Sequence, residues 1–241
     1  MAQDGDEQAV PDAMAGLVKA YEALNYSAGA VGQEELARLA RQGVAPPGGW
    51  LVLDPKEPRT RLIDTPKGKV GLVFFPEVKG LGDTPLETAP GKEGFSLIPR
   101  ARKEASSTLE AEAKALAKAI KELREGGAAM VVGISPWGSQ AEADYLEGHR
   151  PDLDILLGAG SGVGFMAKPE NNGRTLWMRT YTKGKAVYQI DVLAWPSGKG
   201  FKWEEKKNYQ SKALLLDDAV KPDPDMERLI HGLADPGDKT K

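Results

Sequence analysis

Apolar residues recur at helical spacing from the start of the chain. Met14, Leu17, Val18, Tyr21 and Leu24 stand three and four apart in "PDAMAGLVKAYEALNY", which predicts an amphipathic helix opened by Pro11 or Asp12. "SAGAVG" reads as a short strand of small residues, and "QEELARLARQG" as a second helix stopped at Gly43. "PPGGWLVLDP" gives a turn and a strand from Trp50 to Leu53. "TRLIDTPKGKVGLVFFP" predicts a hairpin with Lys67-Gly68 near its turn and a buried strand from Val70 to Phe75. Residues 76–100, rich in Gly and Pro, read as a long loop.

A strong helix follows in "SSTLEAEAKALAKAIKELREGG". It has a Ser or Thr start, Leu109, Ala113, Leu116, Ile120 and Leu123 on one face, and a glycine stop. Then come the apolar strand "AAMVVGIS", a loop at "PWGS", the helix "QAEADYLEGH" and the strand "LDILLG". Helices alternating with continuous apolar strands are the α/β signature. Beyond Gly164, "RTLWMRTYTKG", "KAVYQIDVLAWP" and "GFKWEEKKNYQSKALLL" predict consecutive antiparallel strands, turning at Lys183-Gly184 and Ser197-Gly198. A short helix and a polar tail end the chain.

Composition narrows the chemistry. With 241 residues and 41% of them hydrophobic, the chain can bury a substantial core. A net charge of −3 argues against a nucleic-acid binder, which would carry a basic face. The absence of cysteine removes disulfides, thiolate metal sites and cysteine nucleophiles. No apolar run approaches the roughly 20 residues of a membrane span, and the acidic opening "MAQDGDEQAVPDAM" is unlike a signal peptide. Two histidines, His149 and His231, are all that a histidine-based site could draw on. His149 reads as part of a helix-to-strand turn and His231 as part of the tail helix.

The stretch "DILLGAGSGVG", Asp154 to Gly164, sharpens the question of function. A dinucleotide cradle needs a strand, G-x-G-x-x-G and then a helix whose amides face the phosphates. Here Gly158, Gly160, Gly162 and Gly164 alternate instead, and "FMAKPENNGRTLW" is broken by Pro169 and Asn172-Gly173 before it leads into strands. Without a helix there is no aligned set of amides to hold phosphate.

The order of elements, with "NYSAGAVGQEEL", "KVGLVFF", "VVGISPWGSQAEADYL" and "PDLDILLGAGSG", resembles the calcineurin-like metallophosphoesterases, specifically the catalytic domain of bacterial 5′-nucleotidases. That family reads G-N-H-E, then T/S-H-x-G, then G-G-H-x-H. Matched motif by motif, Gln33 stands for the metal-binding Asn and Glu34 for the catalytic His. Pro136, Gly160 and Gly162 stand for metal-ligand histidines. The family's two metal ions, about 3.5–4 Å apart, clamp phosphate and activate water, and each needs fixed His, Asp or Asn donors. Asp6, from a short match at Gly5-Asp6, with Glu34 and Glu35 would be the remaining donors. The plainer reading of Glu34 and Glu35 is an acidic first helical turn facing the positive dipole end.

The resemblance implies a four-layer α/β/β/α sandwich with two mixed sheets, formed by a single domain over residues 1–230, with residues 231–241 as a disordered tail. Residues 10–160 would supply most of one sheet and residues 165–216 the antiparallel strands of the second. It implies a pseudoenzyme without cofactor, kept as a binding or structural module, of periplasmic or cell-envelope location. The alternative is a phosphoester hydrolase of nucleotide catabolism, acting through a rebuilt carboxylate site or with parts outside this chain. Ligand-binding candidates are Trp137, Ser135 and Ser161, because ligands of open α/β sheets bind at the C-terminal ends of strands. The expected partner is a protein or small molecule, or a second copy added at an open sheet edge.

Overall fold

The computed structural model describes residues 11–78, 99–180, 185–198 and 200–230, the side chains of 11–13 and 99–108 excepted. The chain divides into two compact units, Met1–Val52 with Asp218–Lys241, and Leu53–Asp217. Asp6, His231 and the tail 231–241 lie outside the described residues, as do residues 79–98 of the long loop and the Lys183-Gly184 turn.

In the first unit the helices α1 (Pro11–Ala23), α2 (Gln33–Arg41) and α5 (Pro224–Ile230) accompany a parallel pair, β1 (Ala30–Val31) and β2 (Leu51–Val52). A Cβ at Gly16 would fall 1.8 Å from the Leu229 carbonyl oxygen, so only glycine lets α1 approach α5 this closely. Trp50 lies on Gly29 in the same way and meets the Tyr21 ring at a centroid distance of 5.0 Å. α2 opens with the Gly32 N–H donating to Glu35 Oε2 at 2.7 Å, half of a capping box.

The second unit is built on a six-stranded mixed sheet. Its members are β3 (Arg59–Thr65), β4 (Gly68–Phe74), β5 (Ala128–Ser135), β6 (Ile155–Gly158), β7 (Phe165–Glu170) and β8 (Thr175–Arg179). Their spatial order is β3-β4-β5-β6-β8-β7, with β4, β5, β6 and β8 parallel and both edge strands antiparallel. α3 (Pro99–Glu125) joins β4 to β5 and α4 (Ser139–His149) joins β5 to β6. Right-handed crossovers in one direction place both helices on the same face. Leu116, Ile120 and Leu123 of α3 and Tyr145 and Leu146 of α4 pack there with Phe75, Val131, Leu156 and Trp177. β9 (Ala186–Val192) and β10 (Tyr209–Leu215) form a separate antiparallel pair. The whole is therefore mixed α/β. Among the described residues no helix is long and apolar enough to cross a membrane.

Two strand expectations are corrected. Residues 165–216 do not all go to a second sheet: β8 lies parallel to β6, Leu156 opposite Trp177, and β7 closes the same sheet. Every residue of β8 is buried, which suits an interior strand far better than one with a wet face. Pro169, read as a breaker, is accommodated because β7 is an edge strand and needs no N–H on its outer side. Asn171, Asn172 and Gly173, at φ 52, 55 and 81°, make the tight turn into β8. α3 also begins at Pro99, well ahead of the start read at Ser106.

Candidate functional site

The C-terminal ends of β5 and β6 carry Pro136, Gly160 and Gly162, three of the five positions that the motif comparison singled out. β5 ends at Ser135, and Pro136-Trp137-Gly138 turns into α4; β6 ends at Gly158, and the loop runs on through Gly162. These two turns are stitched together by main-chain bonds. Ala159 N–H donates to Ser135 O at 2.8 Å, Gly138 N–H to Ala159 O at 3.2 Å, and Ser139 N–H to Ser161 O at 2.9 Å. The first amide of α4 is thus spent on the glycine loop and not presented to a ligand.

The glycines are explained by proximity. A Cβ at Gly158 would stand 2.1 Å from Glu142 Oε2; at Gly160, 2.4 Å from the Pro136 carbonyl oxygen; at Gly162, 2.0 Å from Ser139 Oγ. Gly160 and Gly162 also hold φ of +73° and +108°, which side-chain-bearing residues rarely adopt. Imidazoles at 160 and 162 would have no room here.

Beneath the loop lies a buried ion pair that the sequence reading passed over. Glu142 of α4 and Arg179, the last residue of β8, have side chains 0% and 1% exposed and pair through Glu142 Oε2 and Arg179 Nη1. Trp177 Nε1–H donates to the same carboxylate oxygen at 2.9 Å. Arg179 Nη2 donates to the carbonyls of Ala159, Gly160 and Ser161 at 2.7, 3.2 and 2.8 Å. The loop therefore turns its oxygens inward onto a guanidinium, the reverse of a phosphate cradle. Burial pushes the Glu142 carboxyl above its usual range, and the bonds from Arg179 and Trp177 work against that shift. Glu142 Oε1 and Arg179 Nε make no hydrogen bond.

The remaining candidates fall as follows. Trp137 is 1% exposed, donates its indole N–H to Pro76 O at 2.8 Å and packs on Phe75 and Tyr145. Ser135 is equally buried, its Oγ accepting from the Trp137 N–H at 3.1 Å. Ser161 is exposed on the loop. Gln33, Glu34 and Glu35 form the exposed first turn of α2 in the other unit, Glu35 serving as its cap. His149 ends α4 with Nε2 3.8 Å from Glu110 Oε2 and its ring beside Tyr145.

The donor set among the described residues does not suit a dimetal centre. Among the described residues no group of three or more His, Asp or Glu stands together to hold a metal ion. At the matched loop positions, proline and glycine contribute no ligand atoms from their side chains. Glu142 and Arg179 were nevertheless traceable in the sequence. Glu142 precedes Tyr145 and Leu146 by three and four residues, on the buried face of α4, and Arg179 closes the apolar run "TLWM". Searched against protein-family models and curated proteins, the chain matches none.

Proposed function

We propose that this chain is a catalytically silent relative of the metallophosphoesterases, kept as a binding or structural module. One observation carries the reading: in the loop matched to G-G-H-x-H, Gly160 and Gly162 lie too close to Pro136 and Ser139 for a side chain, and the carbonyls of residues 159–161 are committed to Arg179. A dimetal hydrolase needs an open, donor-lined cleft at that place. Here an internal cation, Arg179, satisfies the loop.

The four-layer α/β/β/α sandwich belongs to this proposal. The helix-covered six-stranded sheet and the separate β9–β10 pair are compatible with it. Residence in the periplasm or cell envelope belongs to it too. So does a protein or small-molecule partner, or a second copy of the chain. β3 and β7 carry Arg59, Arg61, Lys168 and Pro169, which discourage strand addition at the edges of the large sheet. Pairing with a second copy would therefore use the two-stranded β9–β10 sheet.

The test is an assay of the purified chain with Mn²⁺, Co²⁺ or Zn²⁺ against p-nitrophenyl phosphate and nucleoside monophosphates. The expected result is turnover no faster than in buffer with metal alone. Metal-dependent turnover that Gly160→Ala abolishes would overturn the proposal.

A further inference from the structure

At the opposite end of the same strands a second charged cluster faces open space. Asp154 immediately precedes β6, Arg174 precedes β8, Arg124 lies in the last turn of α3, and Asp152 lies in the loop leading to β6. With Ser197 and Gly198 on the rim they line a cleft of about 290 Å³. Because β5, β6 and β8 run parallel, this is their N-terminal edge, remote from the glycine loop.

The two oxygens of the Asp154 carboxylate are treated unequally. Oδ2 accepts from Arg124 Nη2 at 2.6 Å and from the Val131 N–H at 2.7 Å. Oδ1, although fully buried, has no hydrogen-bond donor, and Arg174 Nη2 stands 4.0 Å away. An acceptor out of water without a donor is an unmet demand. Arg174 is held loosely. Its contacts to the Gly198 and Phe201 carbonyls and to Asp152 Oδ1 are each 3.4 Å, the far end of hydrogen-bond range. The Asp152 side chain is 62% exposed and also lies 3.4 Å from Arg124 Nε, occupying the place between two guanidiniums where a free carboxylate would sit.

We infer that this cleft binds a small free α-amino acid. Two arginines and two aspartates cancel, so an ion of either sign is attracted by one pair and repelled by the other. A zwitterion is served by both. Its carboxylate takes Arg174, which swings off Asp154, and its ammonium supplies the donor that Oδ1 lacks. The rim at Ser197 and Gly198 leaves space for a short side chain. The inference is independent of the fate of the glycine loop.

Trp203 provides a reporter, because its indole N–H donates to the Asp154 carbonyl oxygen at 2.8 Å. The ¹⁵N-labelled full chain is titrated with glycine, alanine and serine, and in parallel with acetate and with methylamine. The three zwitterions should shift the Trp203 indole resonance saturably in the millimolar range. Acetate and methylamine, each missing one charged arm, should bind at least about ten-fold more weakly. Arg174→Gln should weaken glycine binding by a similar factor, and Ser197→Trp, which fills the mouth while keeping all four charged side chains, should abolish it. No saturable shift with any zwitterion would overturn the inference. So would acetate or methylamine matching glycine, or an unchanged titration in Ser197→Trp.

Discussion

Two acid–base clasps grip the two ends of the same parallel strands, and they are built differently. In both, the acid is wholly buried: Glu142 at the C-terminal edge and Asp154 at the N-terminal edge have side chains 0% exposed. The cations differ. Arg179 is 1% exposed and enclosed by three carbonyls, whereas Arg124 and Arg174 are 23% and 28% exposed and share the solvated Asp152. A guanidinium closed in by backbone acts as a permanent part of the fold; one at a cleft mouth keeps hydration and freedom to move. Each acid keeps one buried oxygen without a donor, but only that of Asp154 borders an open cleft.

The largest effect should come from opening the sealed clasp. Arg179→Met leaves Glu142 as an uncompensated buried charge and strips the donor from the carbonyls of residues 159–161. The expected cost is about 3–5 kcal/mol in chemical denaturation. Adding Glu142→Gln should recover part of it, giving a coupling well outside additivity. Arg174→Met should cost less than about 1 kcal/mol, because its partners are long or solvated. Equal losses from the two arginine variants would erase the comparison.

Next in size is the loop above the sealed clasp. Gly160→Ala should cost about 2–3 kcal/mol, since its Cβ meets the Pro136 carbonyl at 2.4 Å on a backbone with φ of +73°. Gly198→Ala, at φ +67° but with nothing within 4 Å, isolates the backbone strain at about 1 kcal/mol. The difference between the two in thermal unfolding measures the close approach.

A smaller effect reads the burial of the acids through pH. Burial raises both Glu142 and Asp154 above their ordinary values of 4.5 and 3.8. A raised carboxyl binds its proton more tightly in the folded state, so its contribution is fully present below the ordinary value and is lost as pH rises through the raised one. Wild-type stability should therefore gain on Glu142→Gln as pH falls across that window, and denaturation curves at several pH values would show it. A flat difference would place the Glu142 carboxyl at its ordinary value. Smallest of all, Asp152→Asn should change stability by less than about 0.5 kcal/mol, because the side chain is 62% exposed.

Much of the architecture was readable in advance. The helical spacing from Met14 to Leu24 and from Leu109 to Leu123 became α1 and the body of α3, and the apolar runs became β4, β5 and β6. The edges of the pattern were harder. Pro169 and Asn172-Gly173 look like chain breakers by local rules, and only the position of β7 at a sheet edge makes the proline harmless. The run "TLWMR" reads as a strand, but neighbours supplied from elsewhere in the chain decide that it pairs with β6. At the candidate site, the glycines stood out while their reason stayed hidden, because Pro136 O and Ser139 Oγ come within reach only once the two turns meet.

Local pattern by itself determined most of the helix and strand segments and that the chain is α/β. Those properties follow from periodicity and side-chain chemistry, both carried by neighbouring residues. The tertiary structure alone decided that a guanidinium from β8 fills the space under the loop, and that an acid from α4 neutralises it. Glu142 and Arg179 are 37 residues apart in the chain, and their pairing exists only where β8 has come to lie beside β6.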